Sequence, residues 1–140
     1  MPNQAGAELL LDSSAAVALL LPSHAAHAAI AARVGRSRLG LAGHAAIETY
    51  STLTRLPAQH RLSGAAAAQL ITDDFSASHQ LDPVAAATAV ARFAQADITG
   101  GAVIDGLVAL AAIDAGLPLV TCDRRALLTY SALGAQVEFV

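Results

Sequence analysis

The sequence predicts an α/β fold, in which helices cover both faces of a parallel sheet. Short runs of large apolar residues, among them residues 9–11 and 119–122, alternate with alanine-rich stretches of helical length. Alanine loses little side-chain entropy in a helix, so these stretches favour helix. Apolar strands that alternate with helices are typical of a buried parallel sheet. The chain has 140 residues and no linker or repeat, so we expect one domain, residues 1–140.

Capping residues and prolines indicate where the helices begin and end. Ser13 or Ser14 can cap the first helix, which ends by Pro22. Asp82 followed by Pro83 is a strong helix start, because the acid accepts a hydrogen bond from a free N–H and proline fits the first turn. In chain order, the expected elements are a strand at 9–11, helices at 13–21 and 25–34, a weak strand at 38–41, helices at 44–56, 63–75 (capped by Ser63), 82–96 and 103–115, a strand at 119–122, a short helix at 125–131 and a last strand at 136–140.

The composition argues against several classes of protein. Hydrophobic residues make up 55% of the chain and charged residues 14%, so disorder is not expected. A formal charge of −3 argues against a broad basic surface for nucleic acid, and any such contact must be local. The single cysteine, Cys122, excludes an internal disulfide and a cysteine-based zinc site. Residues 1–12 lack the basic start of a signal peptide and no apolar run approaches a membrane span, so we expect a cytoplasmic protein.

Four of the eleven acidic residues stand in unusual positions. Asp12 and Asp123 each follow directly on a predicted strand, and the carboxyl ends of parallel strands meet at the edge of the sheet where ligands bind. Asp105 lies in the first turn of a helix that is apolar nearly all round, although the helix dipole alone favours an acid there. Glu48 shares a helix face with Thr52 and Arg55, and from this segment alone an exposed polar face is the better explanation for it.

Carboxylates that gather at a sheet edge repel one another and need a compensating cation. Hard divalent cations take oxygen ligands, and magnesium commonly binds one or two carboxylates together with water and substrate phosphate. Acids are therefore the residue type expected at such a site, although spacing alone does not bring these four together. His24 and His27, at i and i+3, lack a third ligand for zinc and are interpreted as a pair on a helix surface.

With their neighbours, the four acids resemble the motifs of the PIN-domain ribonucleases, specifically the VapC-type toxins of toxin–antitoxin pairs. An acid and a serine after the first strand occur in LLLDSSAAVALL, and a helical glutamate before a leucine–arginine stretch occurs in IETYSTLTRLPAQHRLS. The setting G-x-x-x-D-x-L-x-A-x-A occurs in GAVIDGLVALAA, and a [TS]-x-D motif after a late strand occurs in LVTCDRRALL. Order and spacing match over nearly the whole chain.

This resemblance implies a three-layer α/β/α sandwich with a central, mainly parallel sheet. It implies a metal-dependent endoribonuclease toxin that cleaves RNA phosphodiester bonds with a metal-activated water. An RNA substrate, a cognate antitoxin protein and a homodimer are implied as well. The residues carried over as catalytic acids and as ligands of Mg²⁺ or Mn²⁺ are Asp12, Glu48, Asp105 and Asp123.

Two further pairs are candidates for supporting roles. Ser14 and Thr121 are hydroxyls that can orient a carboxylate or a water. Arg124 and Arg125 can contact phosphate, since guanidinium suits bidentate contacts, but a solvated helix start explains them equally well. All eight basic residues are arginines, which a compositional bias that also favours alanine can explain.

Two other classes of protein require residues that this sequence lacks. A phosphoacceptor receiver domain also sets acids at the ends of parallel strands, but it depends on a lysine and the chain has none. A D-x-D phosphatase needs a second aspartate where Ser14 stands. A PIN-fold module that binds RNA or a protein partner without cleaving RNA is an alternative that the sequence does not exclude. Cleavage that EDTA abolishes and Mg²⁺ or Mn²⁺ restores would separate it from the enzyme.

Overall fold

The computed structural model describes residues 6–140; residues 1–5, on which part of the expectation of an absent signal peptide rests, lie outside the described residues. Strands and helices follow one another in the predicted order. Within residues 6–140 the strands are β1 (Leu9–Leu11), β2 (Leu39–Leu41), β3 (Leu119–Thr121) and β4 (Val137–Phe139), and the helices are α1 (Ser13–Leu20), α2 (His27–Val34), α3 (Ala45–Leu53), α4 (Gly64–Asp74), α5 (Pro83–Gln95), α6 (Ala102–Ala115) and α7 (Leu127–Leu133).

The four strands form a parallel sheet in the order β2-β1-β3-β4. Successive side chains of a strand point to opposite faces, and all three leucines of β1 are buried, so both faces of the sheet are covered. Crossovers between parallel strands are right-handed. The connection from β1 to β2, with α1 and α2, therefore lies on one face, and α6 and α7, in the connections that run the other way to β3 and to β4, lie on the opposite face. Helix α3, at the start of the connection from β2 to β3, still packs against α1. The predicted three-layer α/β/α sandwich is confirmed.

Helix α6 is buried on nearly all sides, which accounts for its apolar sequence. It packs against both α5 and α7. Six of its residues are buried: Gly106, Val108, Ala109, Leu110, Ala111 and Ala112. The charged Asp105 in its first turn is thereby held at a fixed place beside the sheet. Neither α6 nor any other helix within residues 6–140 is long and apolar enough to cross a membrane.

A short segment that the sequence did not predict, residues 77–79, extends the sheet along the free edge of β2. The backbone N–H of His79 donates to the carbonyl oxygen of Leu41 at 3.0 Å. Gly40 permits this close approach, because a Cβ at its position would lie 2.3 Å from the carbonyl oxygen of Ala77. The segment covers an edge that would otherwise present unpaired backbone groups.

Two of the three predicted helix caps are confirmed and one is wrong. Ser63 and Asp82 cap α4 and α5 with their side chains, as expected. The cap of α1 is Asp12 rather than Ser13 or Ser14. Its carboxylate accepts a hydrogen bond from the backbone N–H three residues on, at 3.0 Å. The acid at the end of β1 therefore also begins the next helix.

Other helix ends are shifted by a few residues, for local reasons. Helix α2 begins at His27 because the ring of His24 accepts a hydrogen bond from the N–H of the second residue after it and holds that loop outside the helix. His24 and His27 are therefore not a pair on one helix surface, and that interpretation was wrong. Helix α3 ends at Leu53, earlier than predicted. Helix α7 begins late because the Asp123 carboxylate accepts a hydrogen bond from the N–H two residues on and stabilises a turn.

Candidate active site

The carboxylate of Asp12 is the most tightly held acidic group of the sheet edge. It is 3% exposed and accepts four hydrogen bonds. Its Oδ1 accepts from Ser14 Oγ at 2.6 Å and from the Ala15 N–H at 3.0 Å. Its Oδ2 accepts from Thr121 Oγ1 at 2.5 Å and from the Tyr130 hydroxyl at 2.8 Å. A buried charge is tolerated only when it is hydrogen-bonded, and these four donors provide that.

The hydroxyls of Ser14 and Thr121 connect the ends of β1 and β3. Ser14 Oγ accepts a hydrogen bond from the Cys122 N–H at 3.1 Å, and Thr121 Oγ1 accepts one from the Asp123 N–H at 3.0 Å. Each hydroxyl has a single hydrogen, and each directs it to Asp12. The backbone that carries Asp123 is therefore fixed relative to the Asp12 carboxylate. Both hydroxyls proposed from the sequence contact that carboxylate directly.

Tyr130 is a member of this network that sequence analysis missed. Burial, the neighbouring Asp12 carboxylate and, more weakly, the charges of Asp105 and Glu48 raise the pKa of the Tyr130 phenol. The hydroxyl therefore remains protonated and donates to Asp12. The available signal was a tyrosine in an apolar helix, since a buried tyrosine hydroxyl usually has a hydrogen-bond partner. Its partner could not be named, because Asp12 is far away in the sequence.

The other acids lie within electrostatic reach of Asp12 and of one another. Burial, followed by the charges of Asp105 and Asp12, raises the pKa of Glu48. Burial, followed by the charges of Asp123 and Asp12, raises the pKa of Asp105, while Arg125 lowers it. All four carboxylates thus contribute to one region of negative potential at the carboxyl edge of the sheet. Within residues 6–140, no three histidine, cysteine, aspartate or glutamate side chains already form a ready cage for a metal ion.

The two candidate phosphate contacts are placed differently. The guanidinium of Arg124 lies over the ring of Phe139, 4.8 Å from the ring centroid, and so faces β4. Arg125 lies beside the acids, with its Nε 3.7 Å from Asp123 Oδ1. Its side chain is 95% exposed, which leaves the guanidinium free to contact an anion. Of the two arginines, Arg125 is therefore the one that a phosphate near the acids can reach.

The chemistry of this donor set fits a hard divalent cation. Every candidate ligand is a carboxylate oxygen, the ligand type that Mg²⁺ and Mn²⁺ prefer. Burial is the largest cause of the raised pKa values of Glu48 and Asp105, and the neighbouring carboxylates add to it, so part of the negative charge at this site is not balanced by the protein. A divalent cation would lower the pKa of both groups and relieve their repulsion.

Comparisons with known proteins agree with this fold. The family model described as "PIN domain" matches residues 9–131. Ribonuclease VapC27 of Mycobacterium tuberculosis is 45% identical over 129 residues, which is 92% of this chain and 94% of that protein. Ribonuclease VapC40 of the same species is 39% identical over 130 residues, covering 92% and 96% of the two chains.

Solved structures with the same fold were also found. FitAcB from Neisseria gonorrhoeae matches with a TM-score of 0.67 at 20% identity, over 94% of this chain and 96% of the other. VapC20 of Mycobacterium tuberculosis, described as a sarcin–ricin loop cleaving toxin, also matches with a TM-score of 0.67, at 17% identity over 91% and 95% of the two chains. At these identities the two structures support the fold alone.

Proposed function

The chain belongs to the PIN-domain family, among the VapC ribonucleases, and on that basis we propose that it is a metal-dependent endoribonuclease and the toxin of a toxin–antitoxin pair. One structural observation supports the proposal independently of family membership. Four acids from distant parts of the chain share one region of negative potential at the carboxyl edge of the sheet, where open α/β folds bind their ligands. Such a group of carboxylates is suited to a divalent cation and, through it, to phosphate.

Each acid is proposed to hold the cation from a different element. Asp12 reaches the site from the end of β1, Glu48 from α3, Asp105 from α6 and Asp123 from the turn after β3. A cation bound there, Mg²⁺ or Mn²⁺, would lower the pKa of a water and neutralise charge on the phosphate oxygens.

The remaining residues of the site orient these groups. Ser14, Thr121 and Tyr130 hold the Asp12 carboxylate in one orientation, so that little reorganisation is needed when substrate binds. Arg125 is proposed to contact a phosphate of the RNA backbone, since its guanidinium is exposed beside the acids. Hydrolysis by water would leave a 5′-phosphate and a 3′-hydroxyl.

Cleavage of RNA by purified variants tests the proposal. The wild-type protein should cleave RNA in Mg²⁺ or Mn²⁺, lose that activity in EDTA and regain it when the metal is restored. Asp105→Asn, which keeps the shape of the side chain but removes the charge, should abolish cleavage. Asp73→Asn is the matched control, because Asp73 is exposed on α4 and bonds only to Gln69 nearby. Full activity of Asp105→Asn would refute the assignment, and RNA binding without any cleavage would favour the non-catalytic module.

The setting of the enzyme is part of the same proposal. We propose that residues 1–140 act as one domain, in the cytoplasm, as a homodimer that a cognate antitoxin protein inhibits. The family match over residues 9–131 supports the single domain, and the VapC names of the relatives support a cognate antitoxin. Light scattering that gives a single species of twice the chain mass would agree with the dimer, and a monomer would contradict it. Co-expression with the antitoxin should suppress cleavage.

A further inference from the structure

A cavity of about 360 Å³ opens directly beside the acids. Two residues belong to both places: Ser14 donates to Asp12, and Asp123 is one of the four acids. The cavity lies between α1, α3 and the turn after β3. Six other residues complete its lining: Ser13, Val17, His24, Thr52, Cys122 and Arg125. Anything bound in this cavity would therefore be a direct neighbour of a phosphate held at the acids.

The lining combines several hydrogen-bond donors with an apolar surface and one carboxylate, that of Asp123. Val17 and Cys122 supply the apolar part, and Ser13 and Thr52 supply hydroxyls. The ring of His24 accepts the Ala26 N–H on Nδ1 at 3.0 Å, so the neutral ring carries its proton on Nε2 and can donate from that side. The acceptors of a nucleotide, its phosphate oxygens and base carbonyls, are complementary to such donors.

Size and charge narrow the class of ligand. Pockets for small molecules span about 300–1,000 Å³, so this one has room for roughly one nucleotide. The lining carries one carboxylate, Asp123, and one exposed cation, Arg125, whose Nε lies 3.7 Å from Asp123 Oδ1, and this exposed guanidinium can contact the phosphate of a nucleotide.

We propose that this cavity, lined by Val17, His24, Thr52, Cys122 and Arg125, binds the nucleotide next to the cleaved phosphodiester. The inference rests on the proposed ribonuclease activity and deepens it, because it assigns the residues that contact the base and sugar beside the reaction centre. Arg125 contacts the phosphate of this nucleotide, and Val17 contacts its base. The cavity thereby contributes to which RNA positions are cut.

Filling the cavity tests this directly. Val17 is half-buried on α1 and lines the cavity, so Val17→Trp should occupy the space of the base. Val90→Trp is the matched control, because Val90 is 79% exposed on α5, in a part of the surface that does not line this cavity. Binding of a fluorescein-labelled RNA oligonucleotide of mixed sequence is measured by anisotropy in Mg²⁺, with Asp105→Asn present in every chain to prevent cleavage. Val17→Trp should weaken binding about tenfold, the loss of one contact of about 1.4 kcal/mol, and Val90→Trp should not.

A second measurement keeps the inference testable if Val17→Trp does not fold. Cys122 is the chain's one cysteine and lines the cavity, so its alkylation by iodoacetamide reports access to the cavity without a substitution of any residue that lines it. Burial raises the pKa of the thiol, so the reaction is followed at alkaline pH. In Mg²⁺, and with Asp105→Asn again present to prevent cleavage, the same RNA should slow alkylation about fivefold or more, because a cavity of this size does not hold RNA and reagent together.

The outcomes separate this inference from the proposed function. Equal RNA affinity of the two tryptophan variants, or alkylation unaffected by RNA, would overturn the nucleotide site even if the wild-type protein cleaves RNA. A protein that cleaves nothing, but loses RNA affinity only in Val17→Trp, would support the cavity as an RNA site and remove the nuclease. Protection of Cys122 by a bound antitoxin and not by RNA would reassign the cavity to a protein partner.

Discussion

Removing the hydroxyl of Tyr130 should destabilise the protein through Asp12. Tyr130→Phe deletes one oxygen from a residue that is 1% exposed and that donates to Asp12 Oδ2 at 2.8 Å. Asp12 is itself buried, so water cannot easily replace the lost donor. A hydrogen bond to a charged group contributes about 1.5–3 kcal/mol to stability, and we expect a loss in that range. The three remaining donors to Asp12 keep the variant folded.

Urea denaturation of Tyr130→Phe and of a matched control gives the magnitude. Tyr50→Phe removes the same atom from a tyrosine that is 42% exposed, and it should change stability by less than about 0.5 kcal/mol. In an Asp12→Asn background, the effect of Tyr130→Phe should shrink, with a coupling energy of about 1 kcal/mol or more. A Tyr130→Phe protein as stable as the Tyr50→Phe control, or an effect that is unchanged without the Asp12 charge, would refute this reasoning.

Three further predictions follow from other parts of the structure. Burial and the charges of Asp123 and Asp12 raise the pKa of Asp105, so the folded chain holds a proton there more tightly than the unfolded chain. The free energy of unfolding should therefore fall as the pH rises from the ordinary aspartate pKa of about 3.9 through the raised pKa of Asp105. At a pH above that raised pKa, and without metal, Asp105→Asn should melt at a higher temperature than wild type. A lower melting temperature of the variant would contradict the raised pKa. Gly40→Ala should lower the free energy of unfolding by about 1–3 kcal/mol, because the new Cβ meets the backbone of residues 77–79. Hydrogen exchange of the amides of residues 77–79 should accelerate in this variant. Unchanged exchange would contradict the close approach of the two backbones. Ser63→Ala should lose about 1 kcal/mol in urea denaturation, since the hydroxyl caps α4, and an unchanged midpoint would show that the cap is dispensable.

The sequence pattern was sufficient to predict the parallel sheet and the position of two of the acids at its carboxyl edge. Apolar runs between helical stretches leave few arrangements other than a parallel sheet, and any acid that directly follows such a strand lies at its carboxyl edge. Asp12 and Asp123 could be located for that reason. Glu48 and Asp105 lie on helices, and the direction in which a helix presents a charge depends on its packing. Glu48 and Asp105 were predicted to belong to the metal site from the family resemblance rather than from their spacing in the sequence.

What the sequence did not predict depends on contacts between distant residues. Tyr130 meets Asp12 only because α7 packs back towards the end of β1, and no local pattern reports that packing. The segment 77–79 is too short to show strand periodicity, although Gly40 inside a strand is the kind of position where another backbone approaches closely. Asp12 caps α1 in place of the serines because it is the single residue between the end of β1 and the beginning of α1. Here one residue serves the fold and the proposed site together.

Calorimetric titration of the purified chain with Mn²⁺ tests most directly whether the four acids hold a divalent ion. Mn²⁺ should bind saturably to wild type and to Asp73→Asn, and at least about tenfold more weakly, roughly 1.4 kcal/mol, to Asp105→Asn. Absence of Mn²⁺ binding to the wild-type chain, or equal Mn²⁺ affinity of Asp105→Asn, would contradict a divalent-ion site formed by the four acids.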